Sequence, residues 1–342
     1  YFPKISNDLN LQKDRIQLYQ NQVFVTDNVE GIVPEFLGLL KGVIDSPDIP
    51  LNVSRSYLQS DASVKKITNY ITRKVADKLN SIFKNERENL ESKWNDIKVV
   101  IEYGMLTEDK FYDKAESFNL YPTVDDKYFT YEELEKKIKK LQTDKDGNLI
   151  ILYAQNKDEQ YTYIESAKEK GYEVLLLDSP IIPHLMQKLE SKKEKIKFSR
   201  VDSDTLENLI KKDEEVISKL TDEEKEKLKP MIETAVENEK YTVQLEALDS
   251  NSMPFMLAQP EFMRRMKEMQ QTGGGAMGNL PEMYSLIVNT NHELVGKILN
   301  TRTEKKRNSL IKQSIDLAKL SQNNLTGKDL TEFINRSIDL IK

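Results

Sequence analysis

The chain has 342 residues, 51 Lys and Arg against 57 Asp and Glu, and a formal net charge of −6. That length points to two or three domains, and the interspersed charges to solvated helix faces rather than the basic stripe of a nucleic-acid binder. The absence of cysteine excludes thiolate chemistry, the only histidines, His184 and His292, lie far apart with no partner at metal-ligand spacing, and no apolar run is long enough to span a membrane.

The chain opens Tyr1-Phe2-Pro3 with neither initiator Met nor signal peptide, and is expected to be a fragment of a longer intracellular protein. Residues 15–26 read as strand, carried by Ile16, Leu18 and the run Val23, Phe24, Val25, with a bulge or turn at Asn21 and Gln22. Pro34 opens a helix expected over residues 34–41, and Gly42 is its candidate stop. Pro47 and Pro50 stiffen the loop that follows, which delivers Arg55 to the start of a helix. Gln59 lies four residues on and shares the Arg55 face once that helix has begun. Apolar residues recur at three- and four-residue steps from Val64 through Leu90 to Trp94, which predicts a long helix with Trp94 in the core. Residues 97–103 fit further helix, and Thr107 is a candidate cap for a short one. Thr130 and Glu133 spell a capping box that opens a helix over residues 131–141.

Asp146 and Gly147 form a turn before a buried strand at 148–153. A helix over 158–170 ends at Gly171, and a second buried strand follows at 173–177. Strand, helix and strand at this spacing predict a parallel βαβ unit, extended by a helix at 182–192 and a candidate strand at 196–201. The turn after the first strand, Ala154-Gln155-Asn156-Lys157, has no glycine to let phosphate approach the backbone, so the module reads as a scaffold or docking unit rather than a nucleotide fold. Residues 203–238 are charged and helical in pattern, with a second capping box at Thr221 and Glu224 and a kink or fresh start at Pro230. Strands are expected at 241–248 and 283–289, and helices at 303–322 and 327–341.

Three features are candidates for function. Seven of the ten methionines lie between Met253 and Met283, and Phe262, Met266 and Met269 form one helical stripe with Met263 beside it. Such a stripe is either a soft core face or a surface that accepts many partners, and Gly273, Gly274 and Gly275 beside it favour mobility. Arg55 is either a surface ion-pair residue or a phosphate contact for a nucleotide held by another part of the protein. The last two helices carry broad apolar faces, Leu310, Ile311, Ile315, Leu317 and Ala318 on one and Leu330, Phe333, Ile334, Ile338 and Ile341 on the other. Those faces pack either on their own domain or on a symmetry mate in a four-helix bundle.

Residues 16–19 (IQLY), 23–27 (VFVTD), 33–37 (VPEFL), 42–46 (GVIDS) and 50–59 (PLNVSRSYLQ), in this order and spacing, resemble the middle domain of the ninety-kilodalton heat-shock chaperone family. Residues 171–177 (GYEVLLL), the Met-rich helix and the two terminal helices are similar more weakly, so the resemblance covers nearly the whole chain. The C-terminus lacks the acidic tail of eukaryotic cytosolic members, which resembles the bacterial form.

The resemblance implies a multidomain α/β plus α+β fold: a partial α/β/α large subdomain over 1–120, a small three-layer α/β subdomain over 121–212, and a C-terminal α+β dimerisation domain over 213–342. It implies a cytoplasmic, ATP-dependent stress-response chaperone that works as a homodimer on partly folded clients, with no nucleic-acid or membrane partner. Arg55 matches the family's γ-phosphate-contacting arginine and Gln59 its supporting glutamine, with Asn52 and Ser54 in positioning roles. ATP and magnesium belong to an N-terminal domain outside this chain, so the fragment is expected to hold no cofactor and to be inactive alone. Phe262, Met266 and Met269 match the client-contact helix. His184 and Leu185 match a second client patch, where the family usually has a bulky aromatic. The rival readings are a dimeric scaffold or docking protein without chaperone activity, and an α/β enzyme with its site in residues 148–200.

Overall fold

Asn21 and Gln22 both take positive φ, 50° and 66°, and the chain reverses there, joining β1 (Ile16–Gln20) to β2 (Val23–Thr26) as an antiparallel hairpin. The computed structural model describes residues 16–27, 29, 32–47, 62–213, 216–236, 240–273 and 283–341. By packing they fall into two units, Tyr1–Lys137 with Leu177–Glu194, and Ile138–Leu176 with Lys195–Lys342. Among the described residues no helix is long and apolar enough to cross a membrane.

In the first unit, β3 (Gly42–Asp45) runs parallel to β1, giving the strand order β2-β1-β3. The helix expected over 34–41 is a short 3-10 segment, Glu35–Leu39. Pro34 on one side and β3 on the other leave room for little more than one turn, where i to i+3 bonding serves. The long periodic stretch is three helices, α1 (Ala62–Asn85), α2 (Arg87–Ser92) and α3 (Trp94–Thr107). Trp94 is buried, as its spacing predicts. Thr107 does not cap: its hydroxyl donates to the Tyr103 carbonyl at 2.9 Å, and Glu108 precedes α4 (Asp109–Ala115).

Gly104 sits where α3 meets the 3-10 segment and α4. A Cβ there would lie 2.7 Å from Phe36 and 2.8 Å from Phe111, so only glycine lets these elements close. After an antiparallel pair of two-residue strands, β4 (Tyr121–Pro122) and β5 (Tyr128–Phe129), α5 (Tyr131–Gln142) opens on the expected capping box. The Glu133 carboxylate accepts from the Thr130 N–H at 2.9 Å and from Arg87 of α2 at 2.5 and 2.9 Å. The helix expected at 182–192 is α7 (Ile182–Lys192), which packs on α3.

In the second unit β6 (Leu149–Ala154) is buried at every position. It pairs in parallel with β7 (Val174–Leu176) and β8 (Ile196–Arg200), and α6 (Tyr161–Glu169) connects it to β7. The βαβ expectation holds, with Gly147 and Gly171 at φ of 80° and 75° in the flanking turns. Among the described residues the charged stretch after β8 holds less helix than expected, only α8 (Leu206–Leu209) and α9 (Asp222–Glu233). Thr221 and Glu224 complete the capping box of α9, which continues through Pro230.

A second sheet follows, β9 (Tyr241–Glu246), β10 (Phe255–Ala258) and β11 (Tyr284–Asn289) in the order β10-β11-β9. β10 and α11 (Glu293–Asn300) are additions to the sequence reading, and the Nδ1 of His292 caps α11 by accepting from the Leu294 N–H at 3.0 Å. The chain ends in α12 (Glu304–Ser321) and α13 (Gly327–Ile341), as expected. Leu228 and Ile232 of α9, Phe255 and Leu257 of β10, and Ile311 and Ile315 of α12 share one core.

Candidate functional site

Within the Met-rich stretch lies α10 (Glu261–Gly273), and the most deeply buried described side chain of this helix is an arginine. Arg264 is 3% exposed. Isolated burial of a guanidinium is costly, so the charge must be answered within the fold. It is answered by Glu261 at 2.6 Å, by Glu268, and by the hydroxyl of Tyr153 on β6. Glu261 is the hub of this clamp. Its carboxylate also accepts from the Tyr153 hydroxyl at 2.7 Å, the Arg265 Nε at 2.7 Å and the Arg200 backbone N–H at 3.1 Å. Arg265 donates onward to the Phe198 carbonyl of β8 at 2.5 Å. Burial pushes the Glu261 carboxyl upward, but Arg264 and Arg265 outweigh it and hold the group below its ordinary value.

The clamp anchors the first turns of α10 on β6 and β8 through polar groups and leaves apolar groups on the outside. Phe262 is 70% exposed, while Met263, Met266 and Met269 are half-buried. The helix is thus neither buried by its apolar stripe nor free of its own unit.

His184 and Leu185 lie in α7. His184 is half-buried, whereas Leu185 is fully buried at 0% exposure. Leu185 is therefore a core residue of the first unit. Arg55 and Gln59 lie outside the described residues.

On the terminal helices, Ile311 and Ile315 point into the core of their own unit against β10, and Phe333 is also buried. Ile311 and Ile315 belong to the core that the second sheet shares with α9, α11 and α12. Leu310 and Leu330 are half-buried. What stands out to solvent is Leu317 and Leu320 on α12, and Ile334 and Ile338 on α13. The helix pair is fixed by polar contacts: Arg336 with the buried Asp316, and Gln313 with Ser337 at 2.8 Å.

A family model described as Hsp90 protein matches residues 3–336. The chain belongs to the Hsp90 family. Chaperone protein HtpG of Bacteroides thetaiotaomicron is 45% identical over 410 residues, with 100% of this chain and 60% of that protein covered. Chaperone protein HtpG of Porphyromonas gingivalis is 49% identical over 325 residues, covering 94% of this chain and 48% of that protein. The namesake of Bdellovibrio bacteriovorus is 26% identical over 298 residues, covering 84% and 47%. The chain spans about half to three-fifths of the length of these curated relatives. The family membership expected from the residues at 16–59 is borne out, and these Hsp90 relatives are bacterial.

Sequence reading missed the clamp and, on the outer side of α12, Leu320. The clamp joins β6, β8 and α10 across more than a hundred residues, with no local pattern to announce it. Leu317 was in plain view as an apolar residue of α12. Only the docking of Ile311 and Ile315 on the sheet shows that Leu317 and Leu320 face outward.

Proposed function

We propose that this chain is the middle and C-terminal part of a cytoplasmic, ATP-dependent Hsp90 chaperone that dimerises through α12 and α13 and holds partly folded proteins on the outer face of α10. The observation that carries this reading is Phe262, a large aromatic side chain left 70% exposed on a helix whose buried side is occupied by ion pairs. Exposed apolar groups on an anchored helix suit binding to many unfolded segments, and the adjacent methionines adapt to differing shapes. Dimerisation is supported by the exposed Leu317, Leu320, Ile334 and Ile338. Arg55 and Gln59 enter the reading through the resemblance alone. A guanidinium at that position stabilises charge on the γ-phosphate of ATP held by a part of the protein that this chain does not span.

The reading is tested by aggregation suppression. Phe262→Ser with Met266→Ser is expected to leave the fold intact and to weaken capture of a denatured client several-fold. A double variant that protects the client as well as the parent chain overturns the assignment of α10 and favours a dimeric scaffold. In the longer protein, Arg55→Ala is expected to slow ATP hydrolysis while ATP still binds, and an unchanged rate removes Arg55 from the chemistry.

A further inference from the structure

On α3 two ionisable side chains stand four residues apart, Lys98 and Glu102, and both are buried. That spacing puts them on one face of the helix. Lys98 is nonetheless committed elsewhere. Its Nζ donates to the Asp178 carboxylate, and to the Asn95 Oδ1 at 3.2 Å. Asp178 is half-buried and belongs to the short segment that leads into α7, where the Ile182 N–H donates to the Ser179 carbonyl at 3.1 Å. The ion pair therefore ties the start of α7 to α3, and both lie in the first unit.

Glu102 is left without an answer. Its Oε2 is buried and has no hydrogen-bond partner, and the buried Ser179 hydroxyl has none either. The fold thus supplies one ammonium for two carboxylates, and a buried charge must be paired or neutralised. Charges on the elements packed against α3 are engaged elsewhere. Glu35 of the 3-10 segment holds the Tyr103 hydroxyl, Arg87 of α2 holds Glu91 and Glu133, Lys114 of α4 holds Asp77 at 2.7 Å, and Lys188 of α7 holds Asp109 at 2.9 Å. Tyr121 lies near Glu102, and its own burial pushes its hydroxyl far above the usual range, so it stays neutral. Burial likewise pushes the Glu102 carboxyl up to about 7, with Asp178 adding and Ser179 and Lys98 opposing.

We propose that Lys98, Asp178 and Glu102 form a proton-controlled latch: while Glu102 is neutral, Lys98 holds Asp178 and the start of α7 on α3, and when Glu102 loses its proton, Lys98 turns to its own helix and releases residues 178–182. The direction of the exchange follows from burial. Asp178 reaches solvent, which takes over its charge once it is released, whereas Glu102 has no water to turn to and gains more from the ammonium.

The test is hydrogen exchange of the full chain at about pH 5.5 and about pH 8.5, corrected for the intrinsic pH dependence of amide exchange. Residues 178–186 are expected to lose protection several-fold at the higher pH, while α1 serves as the control for global unfolding. Glu102→Gln is expected to abolish the step and keep the segment protected at both pH values. Asp178→Asn is expected to abolish it in the opposite sense, with the segment weakly protected at both, because no ion pair is left to release. The first variant also separates Glu102 from His184, the histidine of α7. If Glu102→Gln does not fold, Asp178→Asn decides alone. No step in the parent chain overturns the latch, as does a step of equal size in α1 or one that persists in either variant.

Discussion

Arg264 donates a hydrogen bond to the hydroxyl of Tyr153, 111 positions earlier in the chain, and this contact ties the Met-rich helix to the central strand of the first sheet in its unit. Both side chains are buried, and both also bond to Glu261. The three groups are interdependent: two charges share one hydroxyl as their third partner.

Removing the arginine is expected to cost more than removing the hydroxyl. Arg264→Ala leaves Glu261 with Arg265 as its one close cation and Glu268 with the more distant Arg200, a loss on the order of 3 kcal/mol. Tyr153→Phe leaves the Arg264–Glu261 pair in place and costs about 1–2 kcal/mol. Urea unfolding of the two variants gives the comparison, and equal losses would show that the ion pairs contribute nothing beyond the hydroxyl.

Ile334 and its neighbour Phe333 face opposite ways, the first 47% exposed and the second buried. Ile334→Asp is therefore expected to leave the monomer within about 0.5 kcal/mol of the parent. In the proposed dimer the same change places an unpaired charge in an apolar interface, at on the order of 3–5 kcal/mol. That is at least about a hundredfold in the dimer dissociation constant. Sedimentation equilibrium checks it, and a variant that stays dimeric at the same concentration refutes this face as the interface.

Glu102 of α3 is buried beside Lys98 and Asp178. Burial, with Asp178 adding and Lys98 opposing, pushes its carboxyl up from 4.5 to about 7. The folded chain thus holds a proton that the unfolded chain releases between those two values. The stability tied to Glu102 is complete below about pH 4.5 and is lost as pH rises towards about 7. Above that pH the parent chain is expected to be less stable than Glu102→Gln by on the order of 3 kcal/mol, and at pH 4 the two converge. Melting curves at pH 4 and pH 8 test this, and a gap that does not change with pH removes Glu102 as its source.

Gly104→Ala is expected to destabilise the first unit by about 1–3 kcal/mol, since the new methyl meets Phe36 and Phe111 at 2.7–2.8 Å. Phe36→Leu in the same chain should recover part of that loss by making room. Denaturation of the single and double variants measures the recovery, and strictly additive losses would deny the contact.

The sequence by itself determined what is local and what is patterned. The capping boxes at Thr130 and Thr221, the glycine turns at 147 and 171, the buried strands at 149–154 and 174–176 and the terminal helices all follow from short-range chemistry, and the blocks at 16–59 carried the family. Backbone hydrogen bonding and side-chain period act within a few residues, so a chain states them openly. The tertiary structure alone decided which side of each amphipathic helix meets solvent. Arg264 reads as a surface charge until Tyr153 and Glu261 arrive to neutralise it. Leu185, Ile311 and Ile315 read as available apolar surface until their own units close over them. Burial is a property of what packs against a face, and those partners come from sequence positions far away.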